Sequence, residues 1–277
     1  MPVARRLWTL YEPIHALTYF APEARAAFED LGLHGFWRGY FAGRSAPLGP
    51  VGPAPIVASF FGFAPAMVAR ALPGVWDLAT PQDTLRARTA GARAAIDRAL
   101  PGYDFTEAAT LLEQATEGLD VSGRVLGAAN AALPKETEPA DRLWHAATVL
   151  REHRGDGHVA ALVATGLDGC ESLVMRAGSD LSREILQPIR GWTDQEWDAA
   201  RERLIARGWI DVEGTTTKEG LREAQAIEEA TDLAAARPWE ALGPERTERL
   251  ITLLIPITRA LGAAMPYPNP IGLPAPQ

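Results

Sequence analysis

The chain has 277 residues, of which 47% are hydrophobic and 22% charged, and it carries a net charge of −8. This length is sufficient for two domains of ordinary size. No apolar run reaches the roughly 20 residues of a membrane span, and the N-terminus lacks the apolar core of a signal peptide, so we expect a soluble, cytoplasmic protein with no membrane partner. The single cysteine, Cys170, excludes an intrachain disulfide and a zinc site built from cysteines.

The first candidate functional side chains lie near the N-terminus. Tyr11, His15 and Tyr19 recur every four residues, which places them on one face of a predicted helix. Three polar aromatic groups on one stripe can hydrogen-bond a ligand. The alternative is a buried histidine whose hydrogen bonds are satisfied within the protein. His15 and Tyr19 are therefore candidate ligand-binding residues.

A denser cluster follows at residues 35–44. On a helix Trp37, Tyr40 and Arg44 lie three to four residues apart and share a face with Phe41. An aromatic wall with guanidinium groups suits a flat or anionic organic ligand; the alternative is a buried seam between helices. The candidate ligand-binding residues here are Trp37, Arg38, Tyr40 and Arg44, with Arg38 or Arg44 pairing an acid group of the ligand.

The rest of the first half predicts helices joined by loops rich in proline and glycine. A helix at residues 64–72 is cut short by Pro73 and Gly74, and Pro81 begins the next one. Three further helices are predicted, at residues 83–100, 106–117 and 122–133. Residues 134–139 form the predicted linker between the two halves.

The second half has clearer helix signals. Its predicted helices span residues 143–153, 158–177, 180–187, 193–207, 221–235 and 244–261. The glycines in residues 155–157 separate the first two, and Pro188 ends the third. Thr193 with Glu196 forms a capping box, and Gly208 ends that helix.

A short β-hairpin is predicted directly after Gly208. Residues 209–212 alternate as a strand, residues 213–214 make the turn, and residues 215–217 return as a second strand. Helix, helix, short helix, helix, hairpin and long helix is the order of a winged-helix domain.

The two halves also repeat each other. Residues 26–35 correspond to residues 160–169 at a constant spacing of 134, including Gly32 and Gly166. Leu7-Trp8 corresponds to Leu143-Trp144, and Trp76 to Trp209. A register that stays nearly constant over about seventy positions indicates a duplicated unit. We therefore expect two related domains, residues 1–138 and 139–277, with pseudo-two-fold symmetry.

Two short segments in the second half resemble a known protein family. Residues 206–210, Ala-Arg-Gly-Trp-Ile, and residues 217–221, Thr-Lys-Glu-Gly-Leu, resemble the end of the recognition helix and the wing of MarR-type regulators. With the repeat and residues 12–23, the whole chain resembles an actinobacterial helix-turn-helix family. The resemblance implies a mainly α fold with short β-wings, built from two tandem MarR-like winged-helix domains. It also implies a ligand cleft and either a pseudo-dimeric monomer or a homodimer.

The charge distribution argues against DNA binding, the most familiar function of winged-helix proteins. Duplex DNA requires a basic face, yet both halves carry more acidic than basic residues, and acid dominates the predicted recognition helix and wing. We therefore predict a small-molecule-binding protein, with a ligand-responsive transcriptional regulator as one form of it. Two alternatives stay open: a conventional DNA-binding repressor and an enzyme that uses the cleft. The repressor predicts a positive stripe formed by Arg183, Arg190, Arg201 and Arg207. The sequence assigns no catalytic residue, metal or cofactor.

Overall fold

The computed structural model describes residues 1–263 and 265–275, which fold mainly into α-helices, so the predicted mainly helical class is confirmed. The helices of the first half are α1 (Val3–Phe20), α2 (Pro22–Glu29), α3 (Phe36–Ser45), α4 (Pro53–Phe60), α5 (Pro65–Ala69), α6 (Pro81–Ala99), α7 (Thr106–Thr116) and α8 (Val125–Ala131). Those of the second half are α9 (Pro139–Ala164), α10 (Gly169–Ala177), α11 (Arg183–Arg190), α12 (Asp194–Ala206), α13 (Lys218–Ala234), α14 (Arg237–Leu242) and α15 (Pro244–Gly262). None of these described helices combines the length and apolar character needed to cross a membrane.

The capping box predicted for α12 is present. The Thr193 hydroxyl accepts the Glu196 N–H at 3.2 Å, and the Glu196 carboxylate accepts the Thr193 N–H at 2.9 Å. Asp168 and Glu171 cap α10 in the same way. Each box satisfies backbone donors that a helix N-terminus otherwise leaves unpaired, which fixes where the helix begins.

The predicted break at residues 155–157 is wrong, because α9 is one continuous helix of 26 residues. It packs against α1, α7, α8 and α13. Packing on several sides outweighs the weak helix propensity of two glycines. Gly157 also leaves room for the Arg124 guanidinium and Ala234, which lie where a side chain would project.

The prediction that a helix stops before Pro188 is also wrong. Helix α11 continues through Pro188 to Arg190 and ends at Gly191, whose φ of 76° is left-handed. Leu186 on this helix is completely buried, so tertiary packing outweighs the one backbone hydrogen bond that proline removes. Arg190 thereby occupies the last turn of α11.

The two repeated phrases fold alike. Gly32 and Gly166 both have left-handed φ, at 81° and 73°. In each phrase the following leucine donates its N–H to the carbonyl five residues earlier, at 3.1 Å in both. This is the hydrogen bond of a glycine-terminated helix, and it ends α2 and α9 at equivalent places.

The predicted strands after Gly208 do not form. Among the described residues only an isolated bridge joins Ile210 and Thr216, although the Asp211 N–H also bonds to the Thr215 carbonyl at 2.9 Å. The Thr216 N–H turns instead toward the Gly178 carbonyl at 3.3 Å. A hairpin this short has too few paired residues to make a regular ladder.

The largest apolar core draws on both halves. Buried residues of α1, α6 and α7 pack with those of α9, α14 and α15, including Leu7, Leu112, Trp144 and Leu254. A second cluster surrounds α3–α5 and a third surrounds α10–α12 and Ile227. Trp192 contacts both smaller clusters, so it joins the two halves at that point.

Candidate functional site

A cleft of about 850 Å³ lies between the second and third clusters. Helices α1, α9 and α13 and residues 270–272 form its other sides, so both halves of the chain contribute to its walls. Its volume falls within the range of about 300–1,000 Å³ that small-molecule sites occupy. Its aromatic lining residues are Trp8, Tyr19, Phe20, Phe36, Trp37, Tyr40, Phe60, Phe61 and Phe63. The cleft is therefore large enough for an organic molecule of several rings.

The aromatic residues predicted on one face of α3 lie partly in the cleft and partly in the core. Trp37 and Tyr40 line the cleft, whereas Phe41 is completely buried beneath them. The Tyr40 ring lies 5.2 Å from that of Tyr19 and 5.5 Å from that of Phe63, measured between centroids. These edge and tilted contacts hold Tyr40 in one orientation at the centre of the wall.

His15 is buried behind this wall rather than in the cleft. Its Nδ1 lies 3.0 Å from the Thr148 hydroxyl, which already donates its proton to the Trp144 carbonyl. Thr148 therefore accepts from Nδ1–H, and Nε2 accepts the Tyr19 hydroxyl proton at 2.8 Å. Burial, together with the nearby Arg151 charge, holds the pKa of His15 well below its usual value. Neutral His15 thus orients Tyr19, which does line the cleft.

Arg44 is already paired within the protein. Its Nε and one Nη donate to the two Glu152 carboxylate oxygens, both at 2.9 Å, and both side chains are buried. Arg151 donates to the same carboxylate at 2.8 Å. Burial alone would raise the pKa of Glu152, but Arg151 and Arg44 outweigh it and hold that pKa far below its usual value. Arg44 supports the cleft wall while its charge is compensated.

Glu12 extends this network to the cleft surface. Its carboxylate accepts the Trp8 indole N–H at 2.9 Å and lies 3.4 Å from Arg151 Nε. Burial raises the pKa of Glu12 against the opposing charge of Arg151. Because each titratable group here is bonded to a protein partner, the arrangement matches a structural ion-pair network.

A second network begins two residues further along α9. Arg154 donates to Asp232 at 2.7 Å, and Arg5 donates to the same carboxylate at 3.1 Å. Both arginines also contact Glu228. His158 Nδ1 lies 2.9 Å from the Thr231 hydroxyl. These bonds fasten α1 and α9 to α13 and leave the arginines compensated.

Arg190 differs from the other arginines of the cleft. Its guanidinium carbon lies 4.4 Å from the centroid of the Phe63 ring, and Tyr40 faces it. Its Nε is buried without a hydrogen-bond partner, and within residues 1–263 and 265–275 no carboxylate is paired with it. Burial lowers the pKa of the Arg190 guanidinium, and the Tyr40 phenol opposes that shift.

The remaining predicted residues lie outside the cleft. Arg38 is exposed on α3 and lies 3.4 Å from the His34 carbonyl. Arg183 donates to Asp194 and Asp198, each at 2.8 Å. Arg201 donates to the Val212 carbonyl. Arg207 donates to the Thr165 carbonyl at 2.8 Å and lies over the Trp209 ring.

These contacts distribute the four arginines of the repressor hypothesis over different environments. Arg183 pairs with two aspartates. Arg201 donates to the segment after Gly208, and Arg207 donates to the turn between α9 and α10. Arg190 faces the cleft. Three of the four side chains are therefore held by partners within the protein, and the fourth lines the cleft.

Sequence reasoning missed Arg151, Glu152 and Arg154 as residues of the site. Four consecutive polar residues, Arg-Glu-His-Arg at positions 151–154, on a helix that must also pack on several sides were the available signal. A buried side chain with a charge requires a partner, and the partners here are far away in sequence. Among the described residues, no group of three or more His, Cys, Asp or Glu side chains is arranged to hold a metal ion.

Comparison with known proteins identifies a family. The model of a helix-turn-helix family matches residues 4–268, almost the whole chain. No curated protein and no solved structure matches. The match points to a regulatory role of the DNA-binding kind. On the strength of this coverage, the chain belongs to the helix-turn-helix family.

Proposed function

We propose that this protein is a ligand-responsive transcriptional regulator, controlled by a small organic molecule that binds in the cleft. The observation that carries the proposal is the cleft of about 850 Å³ in a helix-turn-helix chain, with aromatic rings from the first half and apolar and charged side chains from the second. Ligand sites combine an apolar wall with a few polar groups that fix orientation. Here Tyr19, Trp37 and Tyr40 supply the wall, and His15 and Arg44 support it from behind.

The proposal includes two tandem MarR-like winged-helix domains, residues 1–138 and 139–277. The equivalent glycine turns at Gly32 and Gly166 support a duplicated unit. Helix contacts between the halves support it as well, since α1 packs on α15 and α7 packs on α9. Contacts of this kind resemble those between two subunits, and they favour a pseudo-dimeric monomer over a homodimer.

A structural connection links the cleft to the proposed helix-turn-helix of α11 and α12. The Ala64 N–H donates to the Arg190 carbonyl at 2.9 Å, and the Trp192 indole N–H donates to the Gly62 carbonyl at 3.0 Å. Gly62 and Phe63 also line the cleft. A ligand that moved this segment would therefore move the turn between α11 and α12.

Ligand binding is tested by a thermal-shift screen of aromatic acids and of neutral aromatic molecules. Ala224 lines the cleft and is only partly buried, so the indole of Ala224→Trp narrows the cleft, and circular dichroism of this variant checks that the fold is retained. We expect compounds that raise the melting temperature of the native protein and leave that of Ala224→Trp unchanged. Native mass spectrometry then gives the stoichiometry. If every hit stabilises both proteins equally, the cleft is not the binding site.

The second candidate function is DNA binding without a ligand, and the family match favours it. Selection of genomic DNA fragments on the purified protein provides the target, and fluorescence anisotropy provides the affinity at two salt concentrations. Phosphate contacts predict a steep loss of affinity with salt. The regulator proposal additionally requires that a cleft ligand change this affinity. A DNA affinity that no cleft ligand changes would support the conventional repressor instead.

A further inference from the structure

The charges of the cleft leave one cation without a counter-ion. Six arginines line it, namely Arg5, Arg44, Arg151, Arg154, Arg176 and Arg190. The carboxylates paired with them are Glu12, Glu152, Asp180, Glu228 and Asp232. Within the described ranges, only Arg190 of the six lacks a carboxylate partner.

The surroundings of Arg190 fit an anion that is absent from the chain itself. Its Nε is buried and makes no hydrogen bond, whereas buried polar groups are almost always satisfied. Phe63 covers one face of the guanidinium and the Tyr40 hydroxyl accepts a hydrogen bond from it, which leaves its other N–H groups as the polar surface. A planar guanidinium held in this way binds carboxylate or sulfonate oxygens in a forked geometry.

We propose that Arg190 is the anion-binding residue of the cleft, and that the ligand is an aromatic molecule with a single acid group bonded to Arg190 beside Tyr40. This rests on the proposed function only in requiring that the cleft binds an organic molecule. One acid group is specified because one cation is in excess. The aromatic part lies against the rings of Tyr40 and Phe63, the two aromatic neighbours of the guanidinium.

The position of Arg190 also connects the acid group of the ligand to the helix-turn-helix. Arg190 occupies the last turn of α11, and its own carbonyl accepts the Ala64 N–H of the other half. An anion bound to the side chain therefore acts one residue away from the turn at Gly191.

The test uses two fluorescent probes that differ mainly in one acid group. The anion 8-anilinonaphthalene-1-sulfonate carries a sulfonate, and neutral N-phenyl-1-naphthylamine has the same ring system without it. Each is titrated into the native protein, Arg190→Gln, Arg190→Lys and the control Arg70→Gln, which alters an exposed arginine outside the cleft. Binding that Ala224→Trp abolishes is assigned to the cleft.

We expect Arg190→Gln to weaken binding of the sulfonate in the cleft by about tenfold or more, since a hydrogen-bonded charge is lost. Binding of the neutral probe should change less than about twofold, because it makes no charge-assisted bond. Arg190→Lys should recover part of the affinity, and Arg70→Gln should match the native protein.

Three results separate the two proposals. Selective loss of the sulfonate supports Arg190 as the anion site. If both probes bind in the cleft and Arg190→Gln affects neither, the anion site is wrong while ligand binding in the cleft stands. If neither probe binds in the cleft, ligand binding in the cleft and the anion site are both overturned. Circular dichroism of each variant confirms that the fold is retained.

Discussion

Buried arginines lie in two contrasting places. One is the junction of α1, α3 and α9 around Glu152, which we call the crossing, and the other is the contact between residues 60–64 and 190–193, which we call the turn contact. At the crossing, Arg44 forms two hydrogen bonds with Glu152 inside a charge network. At the turn contact, Arg190 has an aromatic neighbour and no carboxylate among the described residues. Losing one member of a compensated pair leaves a bare buried charge, whereas losing an uncompensated cation removes a desolvation cost. The same type of side chain therefore supports the fold in one place and remains available for binding in the other.

The largest effect is expected at the crossing. Glu152→Gln leaves Arg44 and Arg151 without their shared carboxylate, and it should lower the free energy of unfolding by about 3–5 kcal/mol. Urea denaturation measures this. The control is Glu248→Gln, whose side chain is 62% exposed in its pair with Arg6 and which should cost less than about 1 kcal/mol. Equal losses in both variants would contradict a structural network at the crossing.

Next in size is a steric test of the turn contact. A Cβ at Gly169 would overlap the Phe61 carbonyl oxygen and approach the Trp192 ring. Gly169→Ala should therefore destabilise the protein by up to about 3 kcal/mol, because a backbone group of the other half must move. Thermal unfolding gives the loss. Gly74→Ala places its Cβ in open space and should be close to neutral, so similar losses would mean that the two halves do not depend on this contact.

The free energy of unfolding is expected to depend on pH through His15. Burial lowers its folded pKa, so below its unfolded pKa of about 6.5 the unfolded chain takes up a proton that the folded chain does not. Its contribution is therefore present above pH 6.5 and is lost as the pH falls, by about 1.4 kcal/mol for each pH unit.

The variant His15→Gln isolates this contribution. In urea, the stability advantage of the native protein over His15→Gln should shrink by about 2 kcal/mol between pH 7 and pH 5. The control is His34→Gln, which replaces an exposed histidine that lies outside the buried network. A constant advantage of native over His15→Gln would show that His15 is not held neutral by the fold.

The smallest effect on stability is expected at the turn contact. Without a ligand, Arg190→Gln should change the free energy of unfolding by less than about 1 kcal/mol, because no ion pair is broken. The matched variant Arg44→Gln leaves Glu152 with one partner fewer and should cost about 3 kcal/mol or more. Comparable losses in urea would show that Arg190 stabilises the fold and is not reserved for a ligand.

Local sequence signals predicted the features that depend on near neighbours. The Thr193 capping box, the glycine that ends α12 and the long final helix follow from side chains within a few residues of one another. The shared face of Trp37, Tyr40 and Arg44 likewise follows from helical spacing. Predictions failed where packing from distant segments decided the outcome, as in α9 across residues 155–157 and in α11 across Pro188. The predicted helix at residues 158–177 is also wrong, because a turn at Gly166 separates the end of α9 from the start of α10.

The sequence by itself determined the mainly helical class, most helix ends and the aromatic composition of the α3 face, because these depend on propensity, capping and periodicity. The tertiary structure alone decided which charges are compensated. Arg44 and Glu152 are 108 positions apart, and Arg190 meets Phe63 across the two halves. Burial makes an unpaired charge costly, so the function of each arginine depends on neighbours that only folding brings into contact.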